Sequence, residues 1–284
     1  MEEKQIIDYT DEELKALAEK ILEDGQVVLH DQVLSRSEWA EACARIGAIE
    51  TNDYFMNPPD TPEISIVSGQ VDKDGKAIGM FRDQELQWHA NGTGRYNFDE
   101  IIVGLYCVYE CVDTVLTVLN QADAFDGLSD EKKEFYRNID IQLNNSGPRA
   151  RLWPKDSDYK GAGENTFRIG QEHYKETVDR RPLIGKHPVN GREYIYFMVP
   201  YIVKAFTKDG EEIEDFEAFY AELWEDVIKS KYMFHQVFHV GDLLLMDQLL
   251  TIHRRSPIKD KDRQLWRTAF DYSKVINYEK TRYE

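Results

Sequence analysis

Positive charge is in short supply in this chain. It has 35 Lys and Arg against 53 Asp and Glu, a formal net charge of −18. Phosphate contacts need clustered cations, so nucleic acid is not an expected partner. Most of the acid excess falls on probable surface helices such as Glu211 to Asp226, where it reads as a solubilising coat. Cysteine is also scarce. Cys43, Cys107 and Cys111 make an odd count with no disulfide framework, and Cys107 and Cys111 have no second Cys or His pair for zinc. A reducing cytoplasm is the compartment that fits. No apolar run reaches the roughly eighteen residues of a membrane span. Met1 to Thr10 lacks the basic and apolar regions of a signal peptide, so a cytoplasmic protein without a membrane partner is expected. No glycine-rich phosphate loop follows a strand, and no Ser-His-Asp or nucleophilic Cys arrangement is present.

What the chain does have is core-forming material. It has 284 residues, 42% of them hydrophobic and 12% aromatic, enough for one sizeable core. Thr10-Asp11-Glu12-Glu13 before Leu14, Leu17, Ala18 and Ile21 predicts a capped amphipathic helix stopped at Gly25, and Ser35 with Glu38 predicts a second helix to Ile46. Phe216 to Ser230 carries an apolar stripe at helical spacing. Strands are expected at Val27–Leu29, Ile64–Ser68, Ile101–Val108, Tyr194–Val199, Val237–Val240, Leu243–Met246 and Leu265–Tyr272. No internal repeat or second core is evident, so residues 1–284 read as a single domain. The Gly-, Asn- and Asp-rich stretch 144–170 reads as a lid or insertion near a site. Many short strands with helices at the N-terminus and one long helix before the last strands suit a mainly β jelly roll with flanking helices better than βαβ repeats.

Two motifs carry chemistry. The first is Trp88-His89-Ala90-Asn91-Gly92. The second runs from Gly241-Asp242 through Met246-Asp247-Gln248 to His253. Residues two apart on a strand share a face, so His89 and Asn91 can aim at one point, and a distant His253 on a neighbouring strand can complete the set. Two imidazoles and a carboxylate suit ferrous iron and leave positions open for oxygen and a chelating oxoacid. The oxoacid's far carboxylate needs a partner such as Arg. Arg263 and Arg267 follow His253 by ten and fourteen residues and, being four apart, share one strand face.

The chain resembles the TauD/TfdA (taurine dioxygenase/clavaminate synthase-like) superfamily of Fe(II)/2-oxoglutarate-dependent oxygenases over most of its length. The likeness lies in Glu85-Leu86-Gln87-Trp88-His89, Val112-Asp113-Thr114, Arg181-Pro182-Leu183, His187-Pro188, Asn190-Gly191-Arg192 and Phe238-His239-Val240-Gly241-Asp242 through His253-Arg254. The resemblance implies a double-stranded β-helix of cupin-like form. It implies His89, Asn91 and His253 at the metal, Thr114 on 2-oxoglutarate, and Arg267 or Arg263 on its distal carboxylate, with Arg267 placed first. It also implies oxidation, most simply hydroxylation, of a C–H bond in a small molecule, using molecular oxygen and releasing succinate.

Asn91 departs from the family, which has Asp or Glu there. Four readings follow. The amide oxygen serves as a weak ligand; the missing carboxylate leaves a position for halide, as in radical halogenases; the site is disabled and the fold only binds ligand; or Asn91-Gly92 deamidates to Asp. The bland reading of Asn-Gly is a turn. Asp99 or Glu100 could supply a replacement carboxylate, and Arg95, Arg149 and Trp153 are candidates to face substrate, against the plainer reading of surface loops. His30, His173, His187, His235 and His239 read as structural or surface residues. His235 and His239 are expected on a strand, too far apart for one metal. The downstream arginines argue against a cupin-type isomerase.

Overall fold

The computed structural model describes residues 4–51, 56–81, 85–91, 101–144, 178–197, 202–258 and 262–279. Apart from Asn144, the stretch 144–170 lies outside the described residues, as do Arg95, Asp99, Glu100, Arg149, Trp153 and His173.

The strands are β1 (Gln26–Leu29), β2 (Ile49–Glu50), β3 (Ser65–Ser68), β4 (Leu86–His89) and β5 (Ile102–Tyr109). Then come β6 (Cys111–Asn120), β7 (Ile139–Asn144), β8 (Val178–Pro182), β9 (Ile184–Lys186) and β10 (Glu193–Ile195). The last are β11 (Ile202–Thr207), β12 (Met233–Phe238), β13 (Leu243–Asp247), β14 (Thr251–Arg255) and β15 (Gln264–Phe270). Among the described residues the α-helices are α1 (Asp11–Asp24), α2 (Arg36–Ile46), α3 (Gln121–Asp126), α4 (Asp130–Arg137) and α5 (Phe216–Val227).

Two sheets form the body. The larger has the order β1-β13-β5-β15-β2, with β3 also on β15, and the smaller has the order β12-β6-β14-β4. Consecutive strands alternate between them: β5 lies in the large sheet and β6 in the small one, and β12, β13, β14 and β15 repeat the switch. This alternation is the winding of a double-stranded β-helix, as expected from the many short strands.

The side-chain period of two explains why the central strands are apolar on both faces. On β13, Leu243 and Leu245 join the core under the helices, while Leu244 and Met246 turn into the barrel interior with Val103, Leu105, Cys107, Leu116, Val118 and Leu265. On β5, Ile102 and Tyr106 face the helices while Val103, Leu105 and Cys107 face inward. The helix side is filled by Leu14, Leu17, Ala18, Ile21 and Leu22 of α1 and by Trp39, Ala42, Cys43 and Ile46 of α2. Each fully buried Leu or Ile contributes about 1.5–3 kcal/mol. Gly104 is required where it stands, since a Cβ there would lie 2.6 Å from the Trp39 ring.

Both predicted helix starts are capping boxes, Thr10 with Glu13 and Ser35 with Glu38, and Gly25 ends α1 in the left-handed region at φ 81°. Other expectations shift. The strand expected at Val237–Val240 is Met233–Phe238, so His235 is a strand residue but His239 sits in the turn after it. The helix expected to reach Ser230 ends at Val227, and the strand expected from Tyr194 is only Glu193–Ile195 as far as Phe197 is followed. Asp226, read as surface charge, is buried and accepts from Tyr136 Oη at 2.7 Å. Among the described residues, no helix is long and apolar enough to cross a membrane.

Candidate active site

A cavity open to solvent, about 620 Å³ with the solvent space at its mouth included, lies between the two sheets. The large sheet contributes Val67, Leu105, Leu265 and Arg267; the small sheet contributes Leu86, His89, Thr114, Leu116, His253 and Arg255. Asn91 and Arg263 line the same cavity from the ends of their strands. The six residues expected at the site from sequence therefore share one cavity.

The two histidines meet through strand register. β4 is the edge strand of the small sheet and pairs antiparallel with β14, with His253 directly opposite His89. Their ring centroids are 4.3 Å apart. Alternation on β14 sends His253 and Arg255 inward and leaves Arg254 exposed, where its guanidinium lies 5.2 Å from the buried Trp88 ring. The His89 Nδ1 lies 2.6 Å from the Gln87 carbonyl oxygen. A carbonyl can only accept, so Nδ1 carries the proton and Nε2 keeps its lone pair. The Nδ1 of His253 is buried without a hydrogen-bond partner. Burial, with Arg255 and Arg267 nearby, lowers the His89 pKa to about 4. Burial, then His89 and the same two arginines, pushes His253 well below its ordinary value. Both rings are neutral at pH 7, the protonation state that donates to a metal.

Asn91 follows β4 and is held by Gln248. The Gln248 Oε1 accepts from the Asn91 backbone N–H at 2.8 Å and from its Nδ2 at 3.3 Å. That leaves Oδ1 as the amide atom available to the cavity. Among the described residues, no group of three or more His, Cys, Asp or Glu gathers to hold a metal.

The arginines separate along the cavity. Arg267 stands close enough to both imidazoles to depress their pKa values. Arg263 is at the other end, near Cys111, Asp113 and Cys107. Thr114 is next to Asp113 and donates its hydroxyl to that carboxylate at 3.0 Å. Arg263 is fully buried, and burial lowers its pKa to about 10. Its Nη2 donates to the Phe81 carbonyl, while Nε and Nη1 have no partner. Arg255 Nη1 donates to the same carbonyl at 3.1 Å. Phe81 itself has φ 59°, a conformation that an aromatic residue adopts only under constraint.

Sequence reading missed three of these parts. Arg255 has a signal, since it is two residues beyond His253 on a strand. Gln248 stands in the second motif, but nothing in its spacing reports a contact with the distant Asn91, and the Phe81 carbonyl, a backbone atom, has no signal.

The family model for taurine catabolism dioxygenases, the TauD, TfdA family, matches residues 3–269. The chain belongs to the TauD/TfdA dioxygenase family. Pentalenolactone F synthase of Streptomyces arenae is 25% identical over 218 residues, 74% of this chain and 69% of that protein. The fold matches a taurine dioxygenase from Burkholderia xenovorans at TM-score 0.66 and 17% identity, over 94% of this chain and 83% of that one. It also matches AAD-2, crystallised with Mn(II) and N-oxalylglycine, at TM-score 0.67 and 15% identity, over 94% and 91% of the two chains. TauD/TfdA enzymes typically use Fe(II) and 2-oxoglutarate.

The residues present fit such a pair. The neutral, adjacent imidazoles, His253 buried and His89 half-buried, suit a divalent metal, and the unpartnered N–H groups of Arg263 suit a carboxylate.

Proposed function

We propose that this chain is a non-haem Fe(II)/2-oxoglutarate-dependent oxygenase that hydroxylates a C–H bond of a small molecule. One oxygen atom of O2 enters succinate as carbon dioxide leaves, and the other enters the product alcohol. The observation that carries this reading is the register-matched pair His89 and His253, both neutral, facing a cavity whose charged lining residues are all arginines among those described.

His89, through Nε2, and His253 would hold the iron, with Asn91 Oδ1 as a neutral third donor. The iron would supply oxygen activation and chelation of the oxoacid. Arg263 would bind the distal carboxylate, joined by Thr114 once its hydroxyl turns from Asp113, because Arg263 has free buried N–H groups at the end of the cavity away from the imidazoles. This favours Arg263 over Arg267, which the sequence alone places first. Arg267, beside the imidazoles, would neutralise negative charge at the metal end. Val67, Leu86, Leu105, Leu116 and Leu265 would exclude water from the substrate carbon.

A second reading draws support from the charge of the site. Among the described residues, three arginines and no carboxylate line the cavity, which leaves room in charge for a halide and hence for radical halogenation. The amide of Asn91, held in place by Gln248, weighs against a vacant position. A disabled, ligand-binding member is the remaining alternative.

The test is aerobic incubation with Fe(II), 2-oxoglutarate and panels of amino acids, sulfonates and amino-acid-derived metabolites, with and without chloride. Succinate release that depends on one panel member, with a product about 16 Da heavier whatever the chloride level, is the expected result (one added oxygen by the stoichiometry above). A chlorinated product would replace hydroxylation with halogenation. No succinate above that of His253→Ala in any panel would leave only the disabled reading.

A further inference from the structure

We infer that Gln248 is the positioning residue for Asn91, and that it selects an amide over a carboxylate at that position. The inference deepens the metal-site reading and rests on it for its metal arm.

The orientation of Gln248 is fixed by what surrounds it. Its Nε2 donates to the Met246 carbonyl at 3.3 Å, so Oε1 is the end that faces Asn91. There it accepts from the Asn91 backbone N–H at 2.8 Å. Turning the Gln248 amide over would set two N–H groups against each other at Asn91 and two oxygens against each other at Met246. Gln248 is fully buried, and its own N–H donates to the Ile101 carbonyl at 2.7 Å. The preceding residue is equally constrained. Asp247 is fully buried, its Oδ2 meeting His187 Nε2 at 3.0 Å and Tyr272 Oη at 2.8 Å, and its Oδ1 accepting from the Leu249 and Leu250 N–H groups.

Facing this fixed oxygen, the residue at position 91 must present a donor. The Asn91 Nδ2 does so at 3.3 Å. An ionised Asp in the same rotamer would bring two acceptors together, losing a hydrogen bond and adding a repulsion in a partly buried setting. Asn91 is therefore matched to its surroundings. An acid at this position needs a change at residue 248 to act as a full ligand.

The experiment is a double-mutant cycle on the full chain: parent, Asn91→Asp, Gln248→Met and the pair. Mn(II) affinity is read by titration calorimetry and thermal stability is read on metal-free protein. Asn91→Asp is expected to tighten Mn(II) binding at least about fivefold more in the Gln248→Met background than beside Gln248. Without metal, Asn91→Asp is expected to lower the melting temperature beside Gln248 and to lower it less than half as much in the Gln248→Met background. Equal effects of Asn91→Asp in both backgrounds, in either readout, would overturn the inference. If Gln248→Met does not fold, Gln248→Asn, which shortens the reach while keeping an amide, is expected to uncouple the pair in the same direction. If the parent binds no Mn(II), the metal-site reading fails, and the metal-free cycle still decides whether Gln248 selects the amide.

Discussion

His89 and His253 face each other across the β4–β14 pairing with ring centroids 4.3 Å apart. Neither loop chance nor a flexible side chain brings them together; the sheet does. The small sheet sets the distance between the rings, and burial, helped by the arginines around them, keeps both rings uncharged. Replacing either ring by Ala is expected to weaken Mn(II) binding by about 100-fold or more while leaving the far-ultraviolet circular dichroism unchanged. Retained binding in both variants would remove the pair from the metal site.

Arg263 should separate ligand binding from stability. Its guanidinium is buried with two unpartnered nitrogens, so most of its donors stay unmet until an anion arrives. Arg263→Leu is expected to weaken 2-oxoglutarate binding by about 100-fold and to leave the melting temperature of the ligand-free protein unchanged or raised. A large loss of stability with unchanged 2-oxoglutarate affinity would make Arg263 a structural residue.

The histidine pKa values set a pH dependence. The folded value for His89 is about 4, below the ordinary 6.5, because burial disfavours its charged form. Between those values the unfolded chain binds more protons than the folded one, so stability rises with pH through that window and falls as pH drops from about 6.5 to about 4. His253, also lowered by burial, acts in the same direction. Denaturant unfolding at about pH 7 and about pH 4.5 should show this loss, and His89→Ala should lessen it. Mn(II) affinity, in contrast, should stay nearly flat from about pH 7.5 to about 5.5, since neither ring takes a proton there. A steep fall in affinity below about pH 6.5 would mean that the rings titrate normally.

Asn91 should remain an amide. Its backbone N–H and its Nδ2 are both held by Gln248, and closure onto the backbone of the next residue requires the side chain to leave that contact. Peptide mass analysis of freshly purified and aged protein is expected to show intact Asn at position 91. A gain of one dalton that tracks with activity would instead support deamidation to the acid.

Much of the fold could be read from the sequence. The capping boxes at Thr10 and Ser35 and the stop at Gly25 are local, so they survive into the structure unchanged. The apolar run of β5 and the alternation that puts Arg263 and Arg267 on one face are also local. Harder to read were β6 to β11, where pairings such as β11 on β7 and β7 on β8 join strands carrying many polar residues. The site followed the same division. His89, His253, Thr114 and the two downstream arginines carry marked residue types in recognisable settings. The contact of Gln248 with Asn91, and the meeting of Arg255 and Arg263 at the Phe81 carbonyl, depend on long-range folding that no spacing rule reports.

The most direct measurement is an anaerobic titration of the parent protein with Fe(II) and 2-oxoglutarate, watching for the visible absorption of the chelated oxoacid. We expect the band in the parent, none in His253→Ala, and in Arg263→Leu a band that needs far more 2-oxoglutarate to form. No band in the parent, with a full band in Asn91→Asp alone, would contradict an amide-tolerant iron site and show that Asn91 disables it.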